Sequence, residues 1–335
     1  MTNNTGIKSL KENSLKIFVP LLAVFLLIFP MFASSYLVRT ACTVLVYSML
    51  AMSLNVLTGY CGIISMGHSA FLCIGAYASA ILMRDTGCNW IFGVLFAMVI
   101  SGLLGLALGI PTLKLSGVFL IMVTIGFNEI VRTVALVWEN VTGGALGIKH
   151  VNAPSIFGYK LSLYNGGLYY LGLVLALITF LVCLAIKHSK WGRVMYAIQD
   201  DELATSMVGI YPSRYKILAF VISCTIAGFV GAYYSSLLGY IDPSTFNADM
   251  GNMILCSVLL GGVGNVPAMA VGAVIIIAIQ EVFRFASEFR YVVFGLMLIL
   301  LMKYAPHGLF GRPSIKPYRL PKGVVSRGAG QTEKA

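Results

Sequence analysis

The feature that most constrains this chain is a near-unbroken succession of apolar runs, about ten of them, each approaching the roughly 20 residues a helix needs to cross a bilayer. They fall at about 17–36, 40–58, 65–83, 90–110, 116–137, 167–187, 215–238, 250–263, 267–284 and 289–305, the eighth being short. Only 23 basic and 12 acidic residues are spread over 335 positions, and apolar types make up 59%. A water-soluble surface cannot be built from so few charges, so the solvent for most of this surface is lipid. The sequence therefore predicts an all-α polytopic membrane protein of about ten transmembrane or re-entrant helices.

Little room is left for anything else. An ATP-binding, kinase or nucleic-acid module needs on the order of a hundred residues of ordinary composition, and no such block exists. The chain has no Gly-Lys dipeptide, hence no Walker A loop, and no H-E-x-x-H or G-x-S-x-G. No enzyme and no nucleic-acid partner is expected. The net charge of +11 follows instead from the placement of Lys and Arg on the cytoplasmic side of spanning segments. Ten spans put both termini on one side. Lys8, Lys11, Lys16, Lys114, Lys187, Lys190, Arg193, Arg214, Lys216, Lys303 and the tail cations then lie inside, and Arg39, Arg84, Arg132, Lys149, Lys160, Arg284 and Arg290 outside. The expected organisation is one membrane domain over 1–335. It comprises a cytoplasmic 1–16, a bundle over 17–305 with an inner loop at 187–214, and a basic tail over 306–335. Of the seven cysteines, Cys42, Cys61, Cys73, Cys183, Cys224 and Cys256 lie in or beside apolar runs and read as small core residues.

The inner loop carries the strongest local pattern. Asp200 is placed to cap a short helix whose first turn holds Asp201 and Glu202, matching the positive end of the helix dipole. Leu203 with Met207 and Ala204 with Val208 are i,i+4 pairs, and Gly209 and Pro212 end the helix. A short two-faced helix in the cytoplasm either docks on a partner or lies on the membrane surface, and amphipathicity serves both.

Gly192-Arg193, Ala197, Asp200-Asp201-Glu202, Ala204 and Gly209-Ile210 together resemble the coupling loop of permease subunits from ATP-binding-cassette importers for branched-chain amino acids. Other blocks resemble the same family in its order. They are Gly59-Tyr60-Cys61-Gly62, Ser65-Met66-Gly67-His68-Ser69-Ala70-Phe71 and Ile74-Gly75-Ala76-Tyr77. Leu115-Ser116-Gly117 and Thr124 to Arg132, followed by Trp138-Glu139-Asn140 and Thr142-Gly143-Gly144, are similar to the LivM-type subunit. Tyr215-Lys216, Ala227-Gly228 and Leu260-Gly261-Gly262 with Gly264 complete the series, which spans about residues 40 to 305. Val118-Phe119 and Ile63-Ile64 depart from the family's more polar residues at those places.

The resemblance implies an importer permease with discontinuous helices in a bacterial cytoplasmic membrane, carrying leucine, isoleucine and valine. It also implies a second homologous permease subunit, two ATP-binding cassette subunits that hold ATP and Mg, and an external substrate-binding protein. No cofactor is implied on this chain. Urea, an amide or another amino acid is the alternative cargo, and an ion-coupled secondary transporter the rival class. The rival needs an unpaired carboxylate near the midplane, and the sequence offers none clearly placed there.

Gly59, Gly62 and Gly67 in one half, and Gly261, Gly262 and Gly264 in the other, interrupt apolar runs. They read either as helix breaks along a translocation path or as tight packing between helices. His68 has no second ligand at metal spacing, which favours a structural histidine, and no metal site is expected. Glu129 with Arg132 and Glu281 with Arg284 are i,i+3 pairs inside spans, each either functional or self-neutralising.

Overall fold

The computed structural model describes residues 26–112, 117–149 and 166–283, together with 151, 154–156, 159–161 and isolated positions between 295 and 310. A helical stretch over 26–32 ends at Ala33, and Ser34 then accepts from the amide of Leu37 to start α1, Ser35–Cys61. The second span thus begins earlier than its hydropathy suggests, because a serine cap and not a loss of apolar character marks the boundary. There follow α2 (His68–Thr86), α3 (Trp90–Thr112), α4 (Val118–Val137) and a single-turn α5 (Glu139–Thr142). After the far-side loop come α6 (Gly167–His188), α7 (Lys190–Asp200), α8 (Glu202–Met207), α9 (Pro212–Leu238), α10 (Ala248–Gly261) and α11 (Val266–Val282). Among the described residues five helices, α1, α3, α4, α6 and α9, are long and apolar enough to cross a membrane. The expected last span at 289–305 lies outside the described residues except at isolated positions, as do residues 1–16 and the tail beyond 310.

Helices α1 and α9 form the centre and are buried on nearly every side. Against α9 pack α3, α2 and α1, while α6 and α11 lean on α1 and α10 pairs with α11. Lipid is as apolar as leucine, so packing alone gives helices little reason to associate, and polar contacts between them matter more. Ser53 and Ser223 each donate to the other's carbonyl at 2.6 Å, tying α1 to α9. The Tyr60 hydroxyl donates to the Cys183 carbonyl at 3.1 Å, that of Tyr233 to Leu168 at 2.9 Å, and the Trp90 indole to Ser236 at 3.0 Å.

The antiparallel path of the helices gives the bundle two ends. The basal end gathers the α1–α2 and α10–α11 junctions with α7, α8 and the start of α9. The opposite end gathers the turns after α2 and α9 and the loop after α4. There β1 (Ile148–Lys149), before β2 (Ser155–Ile156) and β3 (Tyr159–Lys160), pairs antiparallel with β4 (Tyr240–Ile241), Ile148 facing Ile241. Strands of two residues are too short to leave a periodic signal in a sequence.

Candidate functional site

The α1–α2 junction breaks at Gly62, whose φ of 70° ends α1, and resumes as helix at His68. Each backbone group freed by such a break must find a partner within the protein or in water. The amide of Ile63 donates to the Leu57 carbonyl at 3.3 Å, and the Ile63 carbonyl accepts from Thr58 at 3.1 Å. Across to α4, the Met66 amide donates to the Thr124 hydroxyl at 3.2 Å. The α10–α11 junction is built the same way, with Gly262 and Gly264 at φ of 114° and 84°. Its Gly264 amide donates to the Asn55 side chain of α1 at 2.9 Å. Its carbonyl accepts from Lys187 at 3.2 Å and from the Tyr196 hydroxyl at 3.4 Å. The two glycine junctions therefore meet through α1, and one carbonyl of the second is held by the end of α6 and the middle of α7. Gly59 and Gly261 lie within helices rather than in the breaks.

The segment beyond α6 is joined to it almost without a loop. Ser189 alone separates α6 from α7 and accepts from the Gly192 amide at 3.1 Å. Gly192 is required there, since an added Cβ would lie 2.8 Å from the Lys187 carbonyl oxygen. Gly192, Met195 and Ile198 face the bundle, while Arg193 and Ala197 face out. The Tyr196 ring packs against Tyr60, tilted by 49° with centroids 5.0 Å apart, so α7 touches both glycine junctions.

The expected cap moves by one residue. Asp200 closes α7, and it is Asp201 that caps α8, accepting from the Ala204 amide at 2.9 Å. The sequence pattern puts the cap at Asp200 and Asp201 in the first turn, whereas Asp201 is extended (φ −156°) and stands outside the helix, because two adjacent aspartates satisfy the cap pattern equally well. Glu202 sits in the first turn of α8 and pairs with Lys216 of α9 at 2.6 Å. Leu203, Met207 and Val208 then project from α8 at 67%, 77% and 74% exposure, and Ala204 is exposed beside them. Gly209, at φ of 82° with open space around it, reverses the chain toward α9. Behind α8 a cavity of about 530 Å³ opens between Gly62, Ile63, Ile121, Ile198, Asp200 and Lys216.

Residues 36–302 match the family described as branched-chain amino acid transport system, permease component. The chain belongs to that family. It is 31% identical over 325 residues to the high-affinity branched-chain amino acid transport system permease protein LivM of Salmonella typhimurium, covering 90% of this chain and 76% of the relative. To the LivM of Escherichia coli K12 it is 30% identical, covering 96% and 79%. A second relative of that bacterium, LivH, is 26% identical, covering 81% and 92%. No solved structure matches the chain. The molecule is thus a polytopic all-α permease, an integral membrane protein of the bacterial inner membrane.

Within this permease the other charged and polar candidates are dispersed. His68 is buried, its Nε2 2.8 Å from the Ser223 hydroxyl, at the point where Ser53 and Ser223 bind each other. Ser69 beside it donates to Asn128 of α4 at 2.9 Å. Glu129 and Arg132 pair on the outer surface of α4. Glu281 lies in the last turn of α11, and Arg284 lies outside the described residues. Asn55, Lys187 and Tyr196 were not singled out from the sequence. An asparagine in the middle of an apolar span is a signal that could have found the first.

Proposed function

We propose that this permease is a transport subunit of an ATP-driven importer that carries leucine, isoleucine and valine across the cytoplasmic membrane. Its relatives bear the names of branched-chain amino acid permeases, and two of them, LivM and LivH, come from one bacterium and both match this chain. A second homologous permease subunit alongside it accords with that pairing. In this reading two ATP-binding cassette subunits hold ATP and Mg, and an external binding protein delivers the cargo. Both termini and the basal end face the cytoplasm.

The observation that carries the reading is the exposed apolar tip of α8, whose Thr205 hydroxyl donates to the Ala197 carbonyl of α7, the helix that touches both glycine junctions. Leu203, Met207 and Val208 are too apolar to stand in water, and a partner that covers them removes that cost. A push on α8 passes through the Glu202–Lys216 pair to α9, and through α7 and Tyr196 to the Gly264 carbonyl. Nucleotide binding by the partners then biases a two-state rocking of the bundle, and the permease itself performs no chemistry.

The test is Leu203→Asp in the assembled transporter. Its expected outcome is loss of co-purifying ATPase subunits and of leucine uptake, with membrane insertion intact. Uptake in vesicles whose proton and sodium gradients are collapsed should continue while ATP is present. Normal ATPase association and uptake in the variant, or uptake that stops with the gradients, would refute the reading.

A further inference from the structure

Helix α4 is held to the bundle by one narrow stripe, Leu120, Thr124, Asn128 and Ala135. Only 22% of its apolar window is buried, against 72% for α1. Turning 100° per residue, the opposite arc carries Phe119, Met122, Gly126, Glu129, Thr133 and Val137, and half-buried Arg132 stands on the flank between this arc and the buried stripe. The half of this arc nearer the basal end is apolar. The other half holds a full ion pair: the Glu129 carboxylate accepts from Arg132 Nε at 3.0 and 3.1 Å and also from Nη2. The side chains are 51% and 29% exposed. At a rise of 1.5 Å per residue, Glu129 and Arg132 lie about 12 and 8 Å below the end of the helix at Val137, within the depth of a bilayer.

Charge turned toward hydrocarbon at that depth is strongly disfavoured, and intramembrane charges lie by rule on an enclosed or watered surface. One turn below the pair, Gly126 leaves open space where a side chain would stand. So the face offers one cation and one anion in contact, above an exposed glycine and an apolar track.

We propose that Glu129 and Arg132 form a station for the zwitterionic backbone of the crossing amino acid. The cargo carboxylate pairs with the Arg132 guanidinium, its ammonium pairs with the Glu129 carboxylate, and its apolar side chain lies over Gly126 and Met122. A free α-amino acid carries this same combination of charges at short separation. Exchange of partners keeps every charge paired: the two residues neutralise each other when the station is empty and neutralise the cargo when it is filled. The station rests on the cargo proposed above.

The test uses the complete transporter in vesicles with its binding protein, scoring leucine uptake per assembled complex. Removing one charged partner should lower uptake about ten- to hundredfold in Arg132→Gln, and Arg132→Lys should recover part of it. The double neutral variant Glu129→Gln with Arg132→Gln separates the roles, because a pair that only neutralises itself would be dispensable, whereas the station requires it to be defective. Independently, Thr133→Cys in a Cys88→Ser background should react with a charged, water-soluble thiol reagent, and leucine should slow the reaction. Full transport by the double variant, or a Thr133→Cys that no aqueous reagent reaches, overturns the station. A parent transporter that imports no leucine on ATP overturns the proposed function instead.

Discussion

A single side chain, Asn55, shows how much rests on individual polar contacts in a molecule with so few of them. It is fully buried in α1, and its carbonyl oxygen takes the amide of Gly264 from 209 positions along the chain. Asn55→Leu fills similar space but leaves that amide without a partner, at a cost of about 1–3 kcal/mol. The expected outcome is a lower thermal unfolding midpoint in detergent. Tyr196→Phe is the contrasting case, since Lys187 still donates to the Gly264 carbonyl and the tilted ring contact with Tyr60 survives. Its expected cost is below about 1 kcal/mol. None of these partners shares a motif with the residue it serves, so the sequence could mark the glycines as special without saying what satisfies them. His68 is similar: the lack of ligands nearby in sequence argued for a structural role, but Ser223 as its partner emerges only once α2 and α9 are packed.

At the scale of elements, the short helix at the basal end was legible in kind and misplaced in detail. Its existence, its acidic start, its exposed leucine and methionine and its termination at Gly209 all follow from side-chain chemistry at fixed spacing. The division into α7 and α8 does not, because either aspartate can cap. Asp201→Ala should remove about 1 kcal/mol of cap stabilisation from α8, seen as faster amide exchange over 202–207, while Asp200→Ala leaves that exchange unchanged. The spans were legible for a different reason, since a bilayer imposes a length and polarity that composition reveals directly. The uncovered state of α4 was hidden, because α4 is as apolar as helices that are buried, and only packing separates them.

For the whole molecule, the alternation of ends makes a statement about sidedness that chemistry can check. Cys88, exposed in the turn between α2 and α3, lies at the end opposite α8. An impermeant thiol reagent should modify Cys88 from outside the cell, and Ser206→Cys on α8 only in inverted vesicles. Modification of both from one side would contradict the topology on which the proposed function depends. The end opposite α8 carries a further constraint. Gly147 packs its α-carbon against the Ile241 carbonyl, Ile148 and Lys149 pair with Ile241 and Tyr240, and the Val151 amide reaches the Gly239 carbonyl at 3.1 Å. Two loops separated by the whole of α6 to α9 are thereby locked into one register. Evolution cannot lengthen either loop freely: insertions should collect outside the stretches 147–151 and 239–241 in related chains, and a change of length inside one stretch should be accompanied by a change in the other.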